Sequence, residues 1–244
     1  MKVLCIIPAR YASTRLPGKP LRDIAGKPMI VRVYERAVRA KRVQDVVVAT
    51  DDERIRVAVE EHGGRAVMTR ADHATGTDRL AEVAEKMTGY DLIINVQGDE
   101  PLIDSTVIDA LVEPFLADVQ LPMATAKTLL TDEEEITNPN NVKVITDLTG
   151  NALYFSRARI PYARNAGAKV YKHIGIYAYR RDFLLAYARM AQTPLERSES
   201  LEQLRALENG HRIRVIETDA VFIGVDTEED LAAVNEVYQR EGIH

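Results

Sequence analysis

Short, continuously apolar runs alternate along the chain with stretches whose apolar positions recur every three or four residues. Residues 3–9 (VLCIIPA) are apolar throughout, as a strand covered on both faces requires. Residues 10–26 carry Gly, Pro and charge and predict a long loop. A helix is expected from Pro28, suited to a first helical turn, with Ile30, Val33, Tyr34, Ala37 and Val38 on its apolar face. Arg32, Glu35, Arg36 and Arg39 fall opposite. Residues 46–50 predict a second strand. Ile55, Ala58, Val59 and His62 predict a helix stopped by Gly63 and Gly64. A short strand at 66–68, a helix carrying Leu80, Val83, Ala84 and Met87, a strand at 92–96 and a helix at 105–117 complete this half.

Strand–helix alternation at this spacing implies parallel strands joined by right-handed crossovers, hence an α/β, Rossmann-like layered sheet. Ligands of such sheets bind beyond the carboxyl ends of the strands. The loops after Ala9, Thr50 and Val96 are therefore expected to line one mouth.

The texture changes after Leu121. Strands are predicted at 123–130, 142–147, 152–156 and 173–179, with the 148–151 turn closing a hairpin and Gly175 inside the last strand. Helices are expected at 181–190 and 199–208, strands at 212–217 and 221–225, and a final amphipathic helix at 227–240. The run 132–135 (DEEE) reads as a solvated surface. This half is expected to extend the same sheet, giving a single domain over 1–244 with halves at 1–120 and 121–244.

Composition narrows the function. Lys and Arg total 32 against 37 Asp and Glu, a formal charge of −5, which argues against broad nucleic-acid binding. Cys5 is the sole cysteine of the 244 residues, so no intrachain disulfide framework exists, in keeping with a reducing compartment. No apolar run approaches the roughly 20 residues of a membrane helix. The first apolar stretch lacks a signal peptide's cleavage site. A cytoplasmic protein with its own N-terminus and no membrane partner is expected.

Four segments carry candidate chemistry. The loop after the first strand lacks the glycine patterns of dinucleotide folds and P-loops, but places Arg10, Arg15 and Lys19 within ten residues. Arginine pairs bidentately with phosphate oxygens and lysine supplies a point charge, so a polyphosphate fits. Spacing alone fits a solvated basic loop equally, and the stiffness of Pro17, Gly18 and Pro20 favours a held conformation. Asp99 and Glu100 follow a buried strand, where carboxylates suit Mg²⁺, although Gly-Asp is also common in turns. Asp226 precedes the last helix. Asp226 or Thr227 makes a good N-cap, with Glu229 or Asp230 completing a capping box, so the local pattern alone reads as a cap, while a second metal carboxylate there would complete a phosphoryl-transfer site with Asp99. In residues 72–79, Gly76 permits close backbone approach and Thr77 or Asp78 suits a helix cap; a base or ribose fits such a loop, and so does a plain turn. Arg157, His173, Tyr177, Glu202 and Gln203 are each unremarkable alone. His173 and Tyr177 share a strand face, and Glu202 and Gln203 are expected on a helix.

Taken together and in order, residues 6–20 (IIPARYASTRLPGKP), 95–101 (NVQGDEP), 152–157 (ALYFSR), 172–177 (KHIGIY), 201–205 (LEQLR) and 224–227 (GVDT) resemble the 3-deoxy-manno-octulosonate (KDO) cytidylyltransferase family. The resemblance spans nearly the whole chain. The 173–177 and 201–205 segments point more narrowly to this family, whereas the first and third are shared loosely with related CMP-sugar synthetases. The family usually has Ser before Gly-Thr where this chain has Thr75, which keeps the hydroxyl.

The resemblance implies a GT-A-like, three-layer nucleotidyltransferase with a mostly parallel central sheet and a smaller β-rich region for acceptor binding and dimerisation. It implies Mg²⁺-dependent transfer of CMP from CTP to an acidic eight-carbon sugar, feeding lipopolysaccharide synthesis. Arg10, Arg15 and Lys19 would offset phosphate charge, and Asp99 and Asp226 would hold the metal. CTP is expected on Ala9, Arg10, Ser13 and Lys19, with Asp72, His73, Gly76, Thr77 and Arg79 beside cytosine and ribose. Arg157 is expected on the sugar carboxylate, His173, Tyr177, Glu202 and Gln203 on its hydroxyls, and Gln97 near the acceptor. A homodimer is implied. The alternatives are another acidic sugar (8-amino-KDO or a sialic acid) and a non-catalytic nucleotide-binding protein.

Overall fold

The computed structural model describes residues 1–12, 16–240 and 242. The chain divides into two compact units, one formed by Met1–Asp109 with Val221–His244, the other by Ala110–Ala220.

In chain order, the first unit contains β1 (Val3–Ala9), a 3₁₀ turn (Lys19–Leu21), β2 (Asp23–Ile24), β3 (Lys27–Pro28), α1 (Met29–Ala37), β4 (Asp45–Thr50), α2 (Glu53–Glu61), β5 (Ala66–Met68), α3 (Gly76–Lys86), β6 (Leu92–Asn95) and α4 (Ser105–Ala110). Strands β6, β1, β4 and β5 pair in that order and all in parallel. The apolar runs of β1, β4 and β6 are buried on both faces, Leu4, Ile6, Val47 and Ile93 completely, which is why they read as continuous rather than alternating, while the edge strand β5 is only partly covered.

The second unit contains α5 (Glu113–Ala117), β7 (Met123–Leu130), α6 (Glu133–Thr137), β8 (Lys143–Thr146), β9 (Ala152–Ser156), β10 (Val170–Arg180), α7 (Arg181–Tyr187), α8 (Pro194–Glu199), α9 (Leu204–Glu208) and β11 (Ile213–Glu217). Here β11 runs parallel to β7, while β10 runs antiparallel to β7, and β8 and β9 form the expected hairpin. The last helix, α10 (Glu228–Arg240), returns to the first unit. The division therefore differs from the expected one at 120/121. The reason is a shared apolar cluster in which Leu16, Ile24, Met29 and Leu102 pack with Val225, Leu231, Val234 and Tyr238.

Other expectations differ in detail. Pro28 stands at the N-cap of α1 in extended conformation rather than inside the first turn. Arg32, placed on the polar face by periodicity, is 1% exposed, whereas Val38 lies open. The Arg32 Nε donates to the Ile24 carbonyl at 2.9 Å and its Nη2 to that of Ala25, so tertiary carbonyls satisfy a charge that the helical pattern assigned to water. The helix expected at 105–117 breaks between α4 and α5 because Pro114, in the first turn of α5, cannot continue a helix through Ala110. The helix expected at 199–208 breaks at Ser200, which adopts a left-handed φ of 53°. Residues 221–225 form no strand; the Val225 N–H instead donates to the Asp99 carbonyl at 2.9 Å.

Candidate active site

At the carboxyl ends of β1 and β6 the first unit carries an open cavity of ≈ 420 Å³, lined by Pro8, Ala9, Arg10, Ala12, Lys19, Pro20, Gln97, Gly98, Asp99 and Asp226. The Lys19 ammonium lies 2.7 Å from Asp99 Oδ2 and 3.0 Å from Asp226 Oδ1. The partners are 80 and 207 residues away in sequence. Burial of the ammonium lowers its pKa, but the Asp99 charge and hydrogen bonds to both carboxylates outweigh this and hold Lys19 above the ordinary lysine value.

Local chemistry explains the convergence. Gly18 precedes the 3₁₀ turn with φ +66°, and a Cβ there would lie 3.1 Å from the Tyr11 hydroxyl. Leu16, 1% exposed, anchors the loop in the cluster shared with α10. Arg22 adds a bidentate pair to Glu228 at 2.7 Å for both bonds, and the Ala25 N–H reaches Asn235 Oδ1 at 2.9 Å. At Gly98 an added Cβ would lie 2.7 Å from the Pro8 carbonyl oxygen, so the loop carrying Asp99 approaches β1 as only glycine permits.

The cap at α10 resolves the ambiguity over Asp226. The Thr227 hydroxyl accepts from the Asp230 N–H at 3.2 Å, and Asp230 Oδ2 accepts from the Asp226 and Thr227 N–H groups at 3.0 and 2.9 Å. Thr227 and Asp230 thus form the capping box, and the Asp226 carboxylate turns to Lys19.

In the 72–79 segment the cap lies at Thr75, not at Thr77 or Asp78. The Thr75 hydroxyl accepts from the Asp78 N–H at 3.2 Å and Asp78 Oδ2 accepts from the Thr75 N–H at 3.0 Å. Thr77 is buried in the first turn of α3, a Cβ added at Gly76 would lie 4.0 Å from Pro8 Cγ, and Asp72 is exposed beside Arg70. His73 Nε2 contacts the Glu82 carboxylate. Arg79 is fully buried, bonded to Thr69 Oγ1 and 3.4 Å from Asp51, with its Nε and Nη2 lacking hydrogen-bond partners. Arg15 and Ser13 lie outside the described residues.

The remaining candidates belong to the second unit. His173 and Tyr177 lie on β10 with ring centroids 5.4 Å apart. Between Ile174 and Tyr177 the register advances three residues on β10 against one on β7, so two extra residues are accommodated and the shared face survives. Burial pushes the His173 imidazole down to about 3. Arg157 spends much of its guanidinium on main chain: Nε donates to the Glu199 carbonyl at 2.8 Å, Nη1 to that of Pro139 at 3.1 Å and Nη2 to that of Ser200 at 3.4 Å. Glu199 also accepts from the Ser156 hydroxyl at 2.7 Å and the Arg157 N–H at 3.0 Å. Glu202 and Gln203 fall in the link between α8 and α9, Gln203 as the N-cap residue of α9, and not within a helix as expected. Arg205 lies 3.5 Å from Glu202 Oε1 and pairs through two nitrogens with buried Glu196.

Comparison with known proteins now decides the family. A model of the family "Cytidylyltransferase" matches residues 4–213. The 3-deoxy-manno-octulosonate cytidylyltransferase of Geobacter metallireducens is 54% identical over 252 residues, covering 98% of this chain and 99% of that protein. Its counterpart in Fusobacterium nucleatum is 56% identical, covering 96% of each. The chain belongs to the 3-deoxy-manno-octulosonate cytidylyltransferase family. A solved structure of CMP:2-keto-3-deoxy-manno-octonic acid synthetase complexed with CTP superposes on this cytidylyltransferase with TM-score 0.95 at 48% identity, covering 99% of this chain and 100% of that one. The expected α/β nucleotidyltransferase fold is therefore present.

In this cytidylyltransferase the structure gathers Ala9, Arg10, Lys19, Gln97, Asp99 and Asp226 around one cavity. Sequence reasoning missed Glu199 and Arg205, which hold neighbouring candidates by hydrogen bonds and charge. Arg205 stands between the buried Leu204 and Ala206, a sign of a charge carried inward. Among the described residues no helix is long and apolar enough to cross a membrane.

Proposed function

We propose that this chain transfers CMP from CTP to KDO, releasing pyrophosphate and giving CMP-KDO. The observation that carries it is Lys19 held between Asp99 and Asp226 in a cavity at the carboxyl ends of two parallel strands. A neighbour solved with CTP and relatives named for KDO support the same nucleotide and acceptor.

The anomeric hydroxyl of the sugar attacks the α-phosphorus in line. The new C–O–P linkage forms as the bond to the bridging oxygen breaks, and pyrophosphate leaves with the electron pair. No covalent enzyme intermediate is required. Negative charge grows on the α-phosphate and the leaving group, and Arg10 and Lys19, with Arg15 from the same loop sequence, offset it. Base and ribose are placed on the 72–79 segment, with Asp72, His73, Gly76, Thr77 and Arg79, because a Cβ at Gly76 would lie 4.0 Å from Pro8 Cγ and Pro8 lines the cavity.

Asp99 and Asp226 would hold Mg²⁺. Their donor set fits: two hard carboxylates, partly exposed, already converge on a single cationic centre. Among the described residues no group of three or more His, Cys, Asp or Glu forms a cage, and Mg²⁺ takes one or two carboxylates together with substrate phosphates. When bound, the ion supplies Lewis acidity toward phosphate oxygens and the acceptor hydroxyl.

For the sugar, Arg157 retains N–H donors beyond its three main-chain bonds for the carboxylate, and His173, Tyr177, Glu202 and Gln203 read the hydroxyls, with Gln97 near the attacking group. The enzyme works in the cytoplasm, and its product supplies lipopolysaccharide assembly.

With CTP and Mg²⁺, KDO should release pyrophosphate at a rate far above that with 8-amino-KDO or a sialic acid. Equal or faster turnover of either competitor moves the acceptor assignment to that sugar, and absence of pyrophosphate with all three leaves a nucleotide-binding protein. The same preparation should sediment at twice the chain mass, as a homodimer, with the exposed Leu148 and Leu153 offering apolar surface. A monomer mass at micromolar concentration would overturn the dimer.

A further inference from the structure

The hydroxyl of Thr125, on β7, is fully buried opposite the irregularity in β10. Three groups surround its Oγ1: the Ile176 carbonyl oxygen at 2.8 Å, the Ile174 carbonyl oxygen at 3.1 Å and His173 Nε2 at 2.9 Å. A threonine hydroxyl carries one proton and two lone pairs, and a carbonyl oxygen only accepts. The single proton must therefore point to the carbonyls. Were it aimed at the imidazole, two carbonyl oxygens would face the hydroxyl oxygen with no proton between them. His173 Nε2 is then left to donate.

We propose that Thr125 is a positioning residue that locks His173 in its Nε2–H tautomer, so that Nδ1 presents a lone pair to a hydroxyl of the acceptor sugar. The inference rests on the reading of His173 as an acceptor-sugar ligand. Ring packing supports the lock, because Phe155 meets the imidazole edge-on at 4.9 Å and Tyr177 lies at 5.4 Å, which restrains ring rotation. Nε2 is the ring nitrogen that Thr125 engages, which leaves Nδ1 as the ring nitrogen for a ligand. The imidazole stays neutral at physiological pH, since burial opposes its protonation, so Nδ1 is an acceptor and not a second donor. The site thereby demands a hydroxyl that donates at this position and discriminates against a group that only accepts.

The test combines spectroscopy and kinetics on the full chain. Long-range ¹H–¹⁵N spectra of protein labelled at its five histidines, with the resonance assigned by loss in His173→Gln, should show protonated Nε2 and bare Nδ1 in the ligand-free enzyme. Thr125→Val, which removes the hydroxyl at constant volume, should move the spectrum toward the Nδ1–H form or a mixture. It should raise the KDO KM about tenfold with the CTP KM unchanged, and Thr125→Ser should restore both readings. A wild-type His173 protonated on Nδ1 overturns the inference, even if Thr125→Val fails to fold. A shifted tautomer with an unchanged KDO KM overturns it too, because the ring then does not read the acceptor. Failure of the wild type to use KDO would instead remove the acceptor reading, which the ligand-free spectra do not depend on.

Discussion

Replacing Asp99 by Asn is expected to lower the turnover of CTP and KDO about a thousand-fold, roughly 4 kcal/mol of transition-state stabilisation, while the protein still folds. Asparagine keeps the size and one oxygen of the side chain but loses the charge. Lys19 loses its shorter partner, at 2.7 Å, and keeps Asp226 at 3.0 Å. The proposed metal loses one of two carboxylates. Stability should change by about 1 kcal/mol or less, because Asp99 is one-third exposed and partly exposed ion pairs contribute little. Pyrophosphate release over a range of Mg²⁺ concentrations, beside a melting curve, checks both halves. Undiminished turnover with unaltered Mg²⁺ dependence would place the metal elsewhere, and a large drop in melting temperature would make Asp99 a structural residue. Asp226→Asn should behave alike, since the helix cap belongs to Thr227 and Asp230 and not to the Asp226 carboxylate.

The largest loss of stability is expected from Arg205→Ala. Arg205 and Glu196 are each 4% exposed, and the guanidinium donates Nε to Glu196 Oε2 at 2.8 Å and Nη2 to Oε1. Removing the cation leaves a buried carboxylate whose remaining contact is the Thr193 N–H at 3.1 Å. Such a loss costs about 3–5 kcal/mol. For a chain of this size the melting temperature should fall by about 6–20 °C. A second effect follows from Glu202, 3.5 Å from Arg205, whose carbonyl accepts from the Tyr187 hydroxyl at 2.6 Å. Without Arg205 the KDO KM should rise while the CTP KM holds. The double variant Arg205→Met with Glu196→Gln should recover most of the stability, since a buried pair replaced as a unit leaves no unpaired charge, but not the KDO KM. A single variant that melts like the wild type would show that the pair contributes little to stability.

Much of the architecture was legible because it follows from local rules. Residues 3–9, 66–68, 123–130 and 152–156 form strands at the expected bounds. A strand buried on both faces must be apolar throughout, and a helix with one buried face must repeat every three or four residues. Errors came where distant groups override those rules. Arg32 is inside because carbonyls at Ile24 and Ala25 satisfy it. Glu202 and Gln203 fall between two helices because the left-handed Ser200 ends α8. The cap of α3 moved to Thr75, since two residues in that segment suited the role and backbone geometry alone could choose.

From the linear order of residues alone came the alternating α/β pattern, the basic loop after the first strand, the two acidic loop motifs and a resemblance spanning nearly the whole chain. Each is encoded in neighbouring residues, where periodicity and side-chain chemistry are read directly. Only the folded molecule decided that Lys19 lies between Asp99 and an aspartate 207 residues away, and that the Thr125 hydroxyl meets Nε2 of His173. Those contacts depend on how apolar faces pack. The packing of Leu16 and Val225 in one cluster brings their charged neighbours together, and no local pattern records that distance.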